Sequence, residues 1–297
     1  DLLVVFLLVL ELLDRRLPVR LSLLYALHPL VLTSYAGQGH PDVIIALALL
    51  AVTMAYRRQK WILMFVVLGL AIQVRIYPIL LLPVLINRKN WKHAGWTLLC
   101  GFGPLIPFLF RGGVNVLNPL IEMSHGWSFN SLMHTLFRHL VGTDIEATFL
   151  CLFVFLVIWG YTIWKLHPAR NSRGSMDICT IMIILLGTMF LFSPVVYSWF
   201  ITVLIPLVIL RAFLSVYVLS LTISGTYIVG GYLQLTGNWH FPQHAVFVVW
   251  APFLLMFLFE LHRLSVSRQL SCKSTGAGKI SIILPVYNEQ KHIQRCI

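Results

Sequence analysis

"PDVIIALALLAVTMAYRRQKWILMFVVLGLAIQVRIYPILLLPVLI", residues 41–86, is the stretch that decides the fold class. An apolar run (41–56) ends in a basic break at Arg57, Arg58 and Lys60. A second apolar run (61–73) reaches the polar turn "QVRIYP" (73–78), and a third (76–87) follows. The second and third runs are each about 12 residues, or about 18 Å of helix at ~1.5 Å per residue. A bilayer core is about 30 Å thick. With basic flanks on both sides, the turn 73–78 is expected to reverse inside the outer half of a membrane, or at its outer face if the helices lengthen.

The same pattern continues in both directions. Apolar runs read as 1–13, 21–36, 41–56, 61–73, 76–87, 95–110, 147–165, 177–194, 198–211, 213–233 and 245–262. The chain is 59% hydrophobic and 11% charged, with mean hydropathy +0.86. Soluble domains carry about 25% charged residues, so the expected fold is an all-α polytopic membrane protein with about ten membrane helices.

The net charge of +12 is distributed as loops, not as a nucleic-acid surface. Lys and Arg cluster between the apolar runs without interleaved aromatics. Sixteen of them fall on one side of an alternating thread: Arg15, Arg16, Arg20, Arg57, Arg58, Lys60, Arg88, Lys89, Lys92, Lys165, Arg170, Arg173, Arg211, Arg263, Arg268 and Lys273. Three, Arg75, Arg111 and Arg138, fall on the other. This bias places the first set in the cytoplasm. The five cysteines show no metal or disulfide spacing and read as small buried hydrophobes; no metal site is expected. The chain opens inside an apolar run and ends inside a change of composition, so it is read as a fragment with no signal peptide.

Polar chemistry gathers on the opposite, outer face. Six of eleven histidines lie there (His40, His125, His134, His139, His240, His244), with Asp42, Glu122, Asp144 and Glu146. The corner "YAGQGHPDV" (35–43) has a structural account: glycines for a tight turn, Pro41 and Asp42 for a helix start. That account does not require Gln38 or His40, and a carboxylate (Asp42) two residues from an imidazole (His40) suits sugar hydroxyls or proton transfer. Arg75, at membrane depth, either snorkels to headgroups or holds a phosphate bidentately. In "SHGWSFN" (124–130), His125, Trp127 and Asn130 suit a sugar ring, or an interface belt. "SPVVYSW" (193–199) reads as belt. Glu11 is expected to snorkel or pair with a neighbouring Arg, and His28 to satisfy a backbone group freed by Pro29. "STGAGKI" (274–280) lacks the P-loop spacing and reads as linker.

From 279 the composition changes. "KISIILPVYNEQKHIQRCI" reads as a buried strand, a loop and a helix, the start of an α/β domain. This resembles the opening of family 2 glycosyltransferases, of GT-A fold. The resemblance implies a cytosolic nucleotide-sugar donor pocket lined by Pro285, Tyr287, Asn288 and Glu289. A divalent metal would belong to a later part of such a domain; no cofactor is expected in the residues present. The resulting division is a membrane module (1–264), a linker (265–278) and the start of a GT-A domain (279–297).

The membrane part, from "HPLVLTSYAGQGHPDVIIALALLA" through "GLAIQVRIYPILLLPVLI", resembles GT-C polyprenyl-phosphate-sugar-dependent mannosyltransferases of the family 87 kind. The matching positions are Gly39, His40, Asp42, Arg75, Tyr77 and Pro78, with Arg75 where Lys is more usual. "WSFNS" and "SPVVYSWF" resemble later outer segments. The resemblance implies transfer of a hexose, mannose foremost, from a polyprenyl-phosphate carrier to a glycan or lipid acceptor on the outer face. Arg75 would meet the leaving phosphate, and Gln38, His40 and Tyr77 would join the substrate site. Asp42 is the candidate base, second to a carboxylate expected in an outer loop before residue 1, and a better candidate for binding the acceptor or donor sugar. The expected location is a bacterial plasma membrane, with the C-terminal part cytoplasmic and membrane lipids as surroundings. The rival reading is a lipid-carrier flippase fused to a cytosolic glycosyltransferase. A mere anchor would need only one or two helices.

Overall fold

The computed structural model describes residues 1–113, 128–167, 177–229 and 242–273, together with 233 and 235. The chain divides into two compact units, Asp1–Phe257 and Leu258–Ile297. In the second, the described residues 258–273 are helical; the expected strand and helix of 279–297 lie outside the described residues, as do Pro285, Tyr287, Asn288 and Glu289. His125 and Trp127 lie outside them too.

The first unit is helical. Among its described residues the nearest thing to a strand is one isolated bridge, Phe129 to Val195. We label its longer helices α1 (Leu2–Asp14), α2 (Asp42–Arg57), α3 (Trp61–Val74), α4 (Gly95–Phe102), α5 (Leu132–Val141), α6 (Asp144–Leu166), α7 (Ile178–Phe192), α8 (Ile205–Arg211) and α9 (Leu214–Thr222).

Among the described residues two stretches are long and apolar enough to cross a membrane, Trp91–Arg111 and Asp144–Leu166. A third is the pair Pro29–Gly37 and Asp42–Arg57, which meet at 119°. Five further apolar helices run 10–17 residues. The apolar runs thus exist where the sequence places them, but fewer than ten have spanning length. The reason is local: proline removes a donor and clashes with the preceding turn. Pro29, Pro78 and Pro206 each start a short helix, and the run 76–87 becomes a 3-10 turn (Tyr77–Leu81) and a single α-turn (Leu82–Leu85). Membrane association agrees with the outside of α6, where Phe149 is 68% exposed and Leu152, Phe153 and Trp164 are exposed beside it. In water such a surface would be an aggregation liability; against acyl chains it is matched.

Packing is tight where small residues allow it. A Cβ at Gly69 of α3 would stand 2.8 Å from both the Thr97 carbonyl oxygen and Cys100 Cβ of α4. Only a glycine lets the two backbones approach so closely. Thr97 Oγ1 then donates to the Phe65 carbonyl at 2.9 Å, and the Gln73 amide donates to that of Cys100.

The ends of the bundle differ in chemistry. At one end, α1, α2, α7 and α8 bring together Glu11, Arg15, Arg57, Asp177 and Arg211. Arg15 pairs with Glu11 at 2.7 Å and with Asp177 at 2.5 Å, Arg57 pairs with Glu11, and Arg211 lies 3.7 Å from Asp177. Glu11 is fully buried, so it is paired as expected. Arg15, Arg57 and Arg211 belong to the basic set that the alternating thread puts on one side, and these three meet at one end. The corner 37–42 and the turn 193–199 lie at the opposite ends of α2 and α7, and Arg75, at the end of α3, meets the corner there.

Candidate active site

The corner is built by an irregular approach to α2. His28 caps the segment: its Nδ1 accepts from the Leu30 amide at 3.2 Å, the role expected for a group freed by Pro29. Residues Leu32–Gly37 then widen into a π-turn, a form that collects at functional sites. Gly39 sits at φ +68, a left-handed conformation that a side chain would resist. Pro41 is the N-cap of α2 and Asp42 its first residue, one position later than the sequence suggests.

Asp42 is 0% exposed. Arg75 reaches it from the other side, where α3 ends and the backbone becomes extended. Arg75 Nε lies 3.3 Å from Oδ1 and Nη2 3.2 Å from Oδ2, a bidentate fork. These are longer than the ~2.7–2.9 Å of a tight charge-assisted pair. The guanidinium carbon sits 5.1 Å from the centre of the Phe200 ring, and its side chain keeps 31% exposure. A buried carboxylate is tolerable only when paired, so Arg75 is what allows Asp42 to be there. Conversely, Asp42 fixes the direction of a cation with one side open. In this arrangement Asp42 presents no surface to an incoming hydroxyl.

Tyr77 adds a hydroxyl that is buried and has no hydrogen-bond partner among the described residues. Its ring meets Phe190 edge-on at 5.5 Å, and it interacts electrostatically with both Asp42 and Arg75.

His40 lies flat on Trp199, with centroids 4.0 Å apart and planes at 17°. Trp199 lies on Tyr197 at 4.5 Å and 9°, and Tyr197 leans on Phe129 at 5.0 Å. Four rings from three segments make one stack. Both faces of Trp199 are covered, which makes it structural glue rather than a platform for a sugar. His40 Nε2 donates to Gln38 Oε1 at 3.1 Å, and the Tyr227 hydroxyl donates to the same oxygen at 3.1 Å. Below them Tyr35 bonds Thr202 at 2.5 Å. Burial draws the pKa of His40 below its usual value, with Arg75 adding to the effect and Asp42 opposing it.

The structure therefore brings Gln38, His40, Asp42, Arg75 and Tyr77 into one neighbourhood. Asn130 joins it indirectly, through Phe129 and the stack. Tyr197 and Trp199, read from the sequence as an interface belt, are parts of this neighbourhood instead, together with Phe200. His134, 2% exposed, also escaped sequence reasoning; the only hint was its place in the histidine-rich outer face. No group of residues with metal-ligand chemistry occurs among those described.

The model of glycosyltransferase family 87 matches residues 2–194, which include the corner, the fork and Asn130. The chain belongs to glycosyltransferase family 87. No curated protein and no solved structure matches it. The family 87 chain is thus a membrane-associated glycosyltransferase, and membership decides against the flippase reading of its membrane part. Such an enzyme uses a sugar donor and an acceptor.

Proposed function

We propose that this enzyme moves a hexose, mannose foremost, from a polyprenyl-phosphate carrier to an acceptor at the end of the bundle that carries Asp42 and Arg75. The observation that carries the reading is the loose Asp42–Arg75 fork at a polar corner among apolar helices. Transfer breaks the bond between the anomeric carbon and the phosphate oxygen and leaves a phosphate anion on the carrier. A guanidinium beside that oxygen stabilises the charge as it develops. Arg75 is preset by Asp42, half-open, and matched in shape to a phosphate.

The phosphate and Asp42 compete for one guanidinium. When the carrier phosphate takes Arg75, the Asp42 oxygens are released. The acceptor hydroxyl then attacks the anomeric carbon, its proton passes to Asp42, and the carrier phosphate leaves on Arg75. The Tyr77 hydroxyl serves as a further donor to the phosphate, and Gln38 and His40 hold hydroxyls of the transferred sugar. In the same proposal residues 279–297 begin a cytosolic nucleotide-sugar-dependent domain that loads the carrier, with Pro285, Tyr287, Asn288 and Glu289 at its donor pocket.

The test uses the full-length protein in membranes, radiolabelled polyprenyl-phosphate-mannose and no nucleotide sugar. Label should pass to non-carrier product and should stop doing so in Arg75→Ala. Absence of transfer from the mannose, glucose and galactose carriers alike refutes the carrier assignment; undiminished transfer in Arg75→Ala refutes the role of the fork.

A further inference from the structure

A second polar cleft opens beside the ring stack. Ser128, Asn130, Ser131, His134, Thr135 and Arg138 line it, and its volume for water centres is ≈ 40 Å³. At roughly 10–15 Å³ per water, that accommodates about three water-sized groups.

Two of its lining residues are each 2% exposed, Asn130 and His134. Each has one polar atom with no partner among the described residues, Asn130 Oδ1 and His134 Nδ1. Buried polar atoms are nearly always satisfied, so each such exception needs a reason.

Both atoms are acceptors. Asn130 Nδ2 donates to the Val196 carbonyl at 3.4 Å, which leaves Oδ1 over. His134 Nε2 faces the Asp144 carbonyl at 3.2 Å and Thr148 Oγ1 at 3.1 Å. The Thr148 hydroxyl directs its own hydrogen to the Asp144 carbonyl at 2.9 Å. Nε2 therefore meets two acceptors and must carry a proton, and in the Nε2–H tautomer Nδ1 is a bare lone pair.

A ligand for this cleft must bring donors. A carboxylate or phosphate brings none. An ammonium would face Arg138, which stands on the lining and pairs with Asp144 at 3.2 Å. A neutral group with several hydroxyls fits both constraints. The cleft is also continuous with the site already described. The Phe129 amide donates to the Pro194 carbonyl at 3.0 Å, the Val196 amide donates to the Phe129 carbonyl at 2.9 Å, and the Phe129 ring begins the stack that ends on His40.

We infer that this cleft binds one edge of the acceptor sugar, with Asn130 Oδ1 and His134 Nδ1 accepting from two of its hydroxyls. The inference rests on the glycosyl-transfer reading and adds the acceptor's place to it.

Saturation-transfer NMR tests it, with the full-length protein in lipid nanodiscs and methyl α-D-mannopyranoside as probe. Asn130→Gly keeps the backbone, because Asn130 sits at φ +47, and removes the amide; it should weaken the apparent affinity about tenfold. His134→Leu should do the same. His134→Gln, which supplies both a donor and an acceptor, should stay within about threefold of wild type. Unchanged binding in both Asn130→Gly and His134→Leu overturns the inference. So does a wild type that gives no saturation transfer, which would mean that water alone occupies the cleft.

The double variant Asp42→Asn/Arg75→Gln separates the two readings. It should lose transfer from the carrier and keep the sugar signal. If it keeps transfer while Asn130→Gly loses the sugar signal, the catalytic reading fails and the acceptor cleft stands.

Discussion

Removing either half of the Asp42–Arg75 fork should have unequal costs. Arg75→Ala leaves a carboxylate with 0% exposure and no counter-charge. Breaking a buried pair in this way costs about 3–5 kcal/mol, and the 3.2–3.3 Å fork is looser than the ideal, which favours the lower end, about 3 kcal/mol. Asp42→Ala leaves a guanidinium that is 31% exposed and rests on Phe200. Solvent and the ring partly replace the lost partner, so the cost should be about 1–2 kcal/mol. Asp42→Ala/Arg75→Ala removes both charges and should cost less than the two single losses added, by a coupling of about 1–2 kcal/mol. Reversible unfolding of the full-length protein in mixed micelles, followed by far-UV circular dichroism, measures all three. Equal costs for the two single variants, or strict additivity in the double, would refute the argument that Asp42 is the buried member held by Arg75. The double variant also gives a folded protein without the cation, so its loss of transfer cannot be ascribed to unfolding.

Other expectations concern the corner, one helix crossing and one cap. Because burial lowers the pKa of folded His40, the unfolded chain takes up a proton first as pH falls; the His40 contribution should be intact above about 6.5 and decline below it. Imidazole NMR titration should show the His40 pKa falling further in Asp42→Asn and rising in Arg75→Gln; shifts of opposite sign would contradict the assigned causes. Gly69→Ala places a methyl 2.8 Å from a helix carbonyl and should cost about 1–3 kcal/mol. Gly103→Ala, whose nearest neighbour is a leucine methyl at 3.7 Å, should cost far less in the same unfolding measurement. Thr143 caps α6 by accepting from the Glu146 amide at 3.3 Å and donating to its carboxylate at 2.9 Å. Thr143→Ala should cost about 1 kcal/mol, and Thr143→Ser should restore most of it.

Sequence reasoning found the helical class, the basic end and the corner because each rests on local chemistry. Apolar runs, clusters of Lys and Arg, and a Gly-x-His-x-Asp turn are visible without knowing what packs against what. It also found the break at "QVRIYP", since two short runs cannot both span. It overstated the spanning lengths: Pro29, Pro78 and Pro206 divide runs whose hydropathy is continuous. Pairings between distant segments were not legible. Nothing in "SPVVYSW" says that its tryptophan lies on a histidine about 160 residues earlier, and nothing near His134 says that its Nδ1 is unpartnered. Asp42 and Arg75 were both singled out, yet as separate agents. Only the three-dimensional contact shows that one holds the other.

The two ends of the bundle are fastened by different kinds of joint. At the basic end, directed ion pairs fix the helices at set distances, and sliding one past another would strand a charge. At the corner end, flat rings lie against each other, and offset stacking tolerates lateral slip at little cost. A structure clamped at its base and laid in loose leaves at its rim yields at the rim first. The sugar donor of such an enzyme would therefore enter by parting His40 from Trp199, while the distant clamp keeps the helices in register for the leaves to close again.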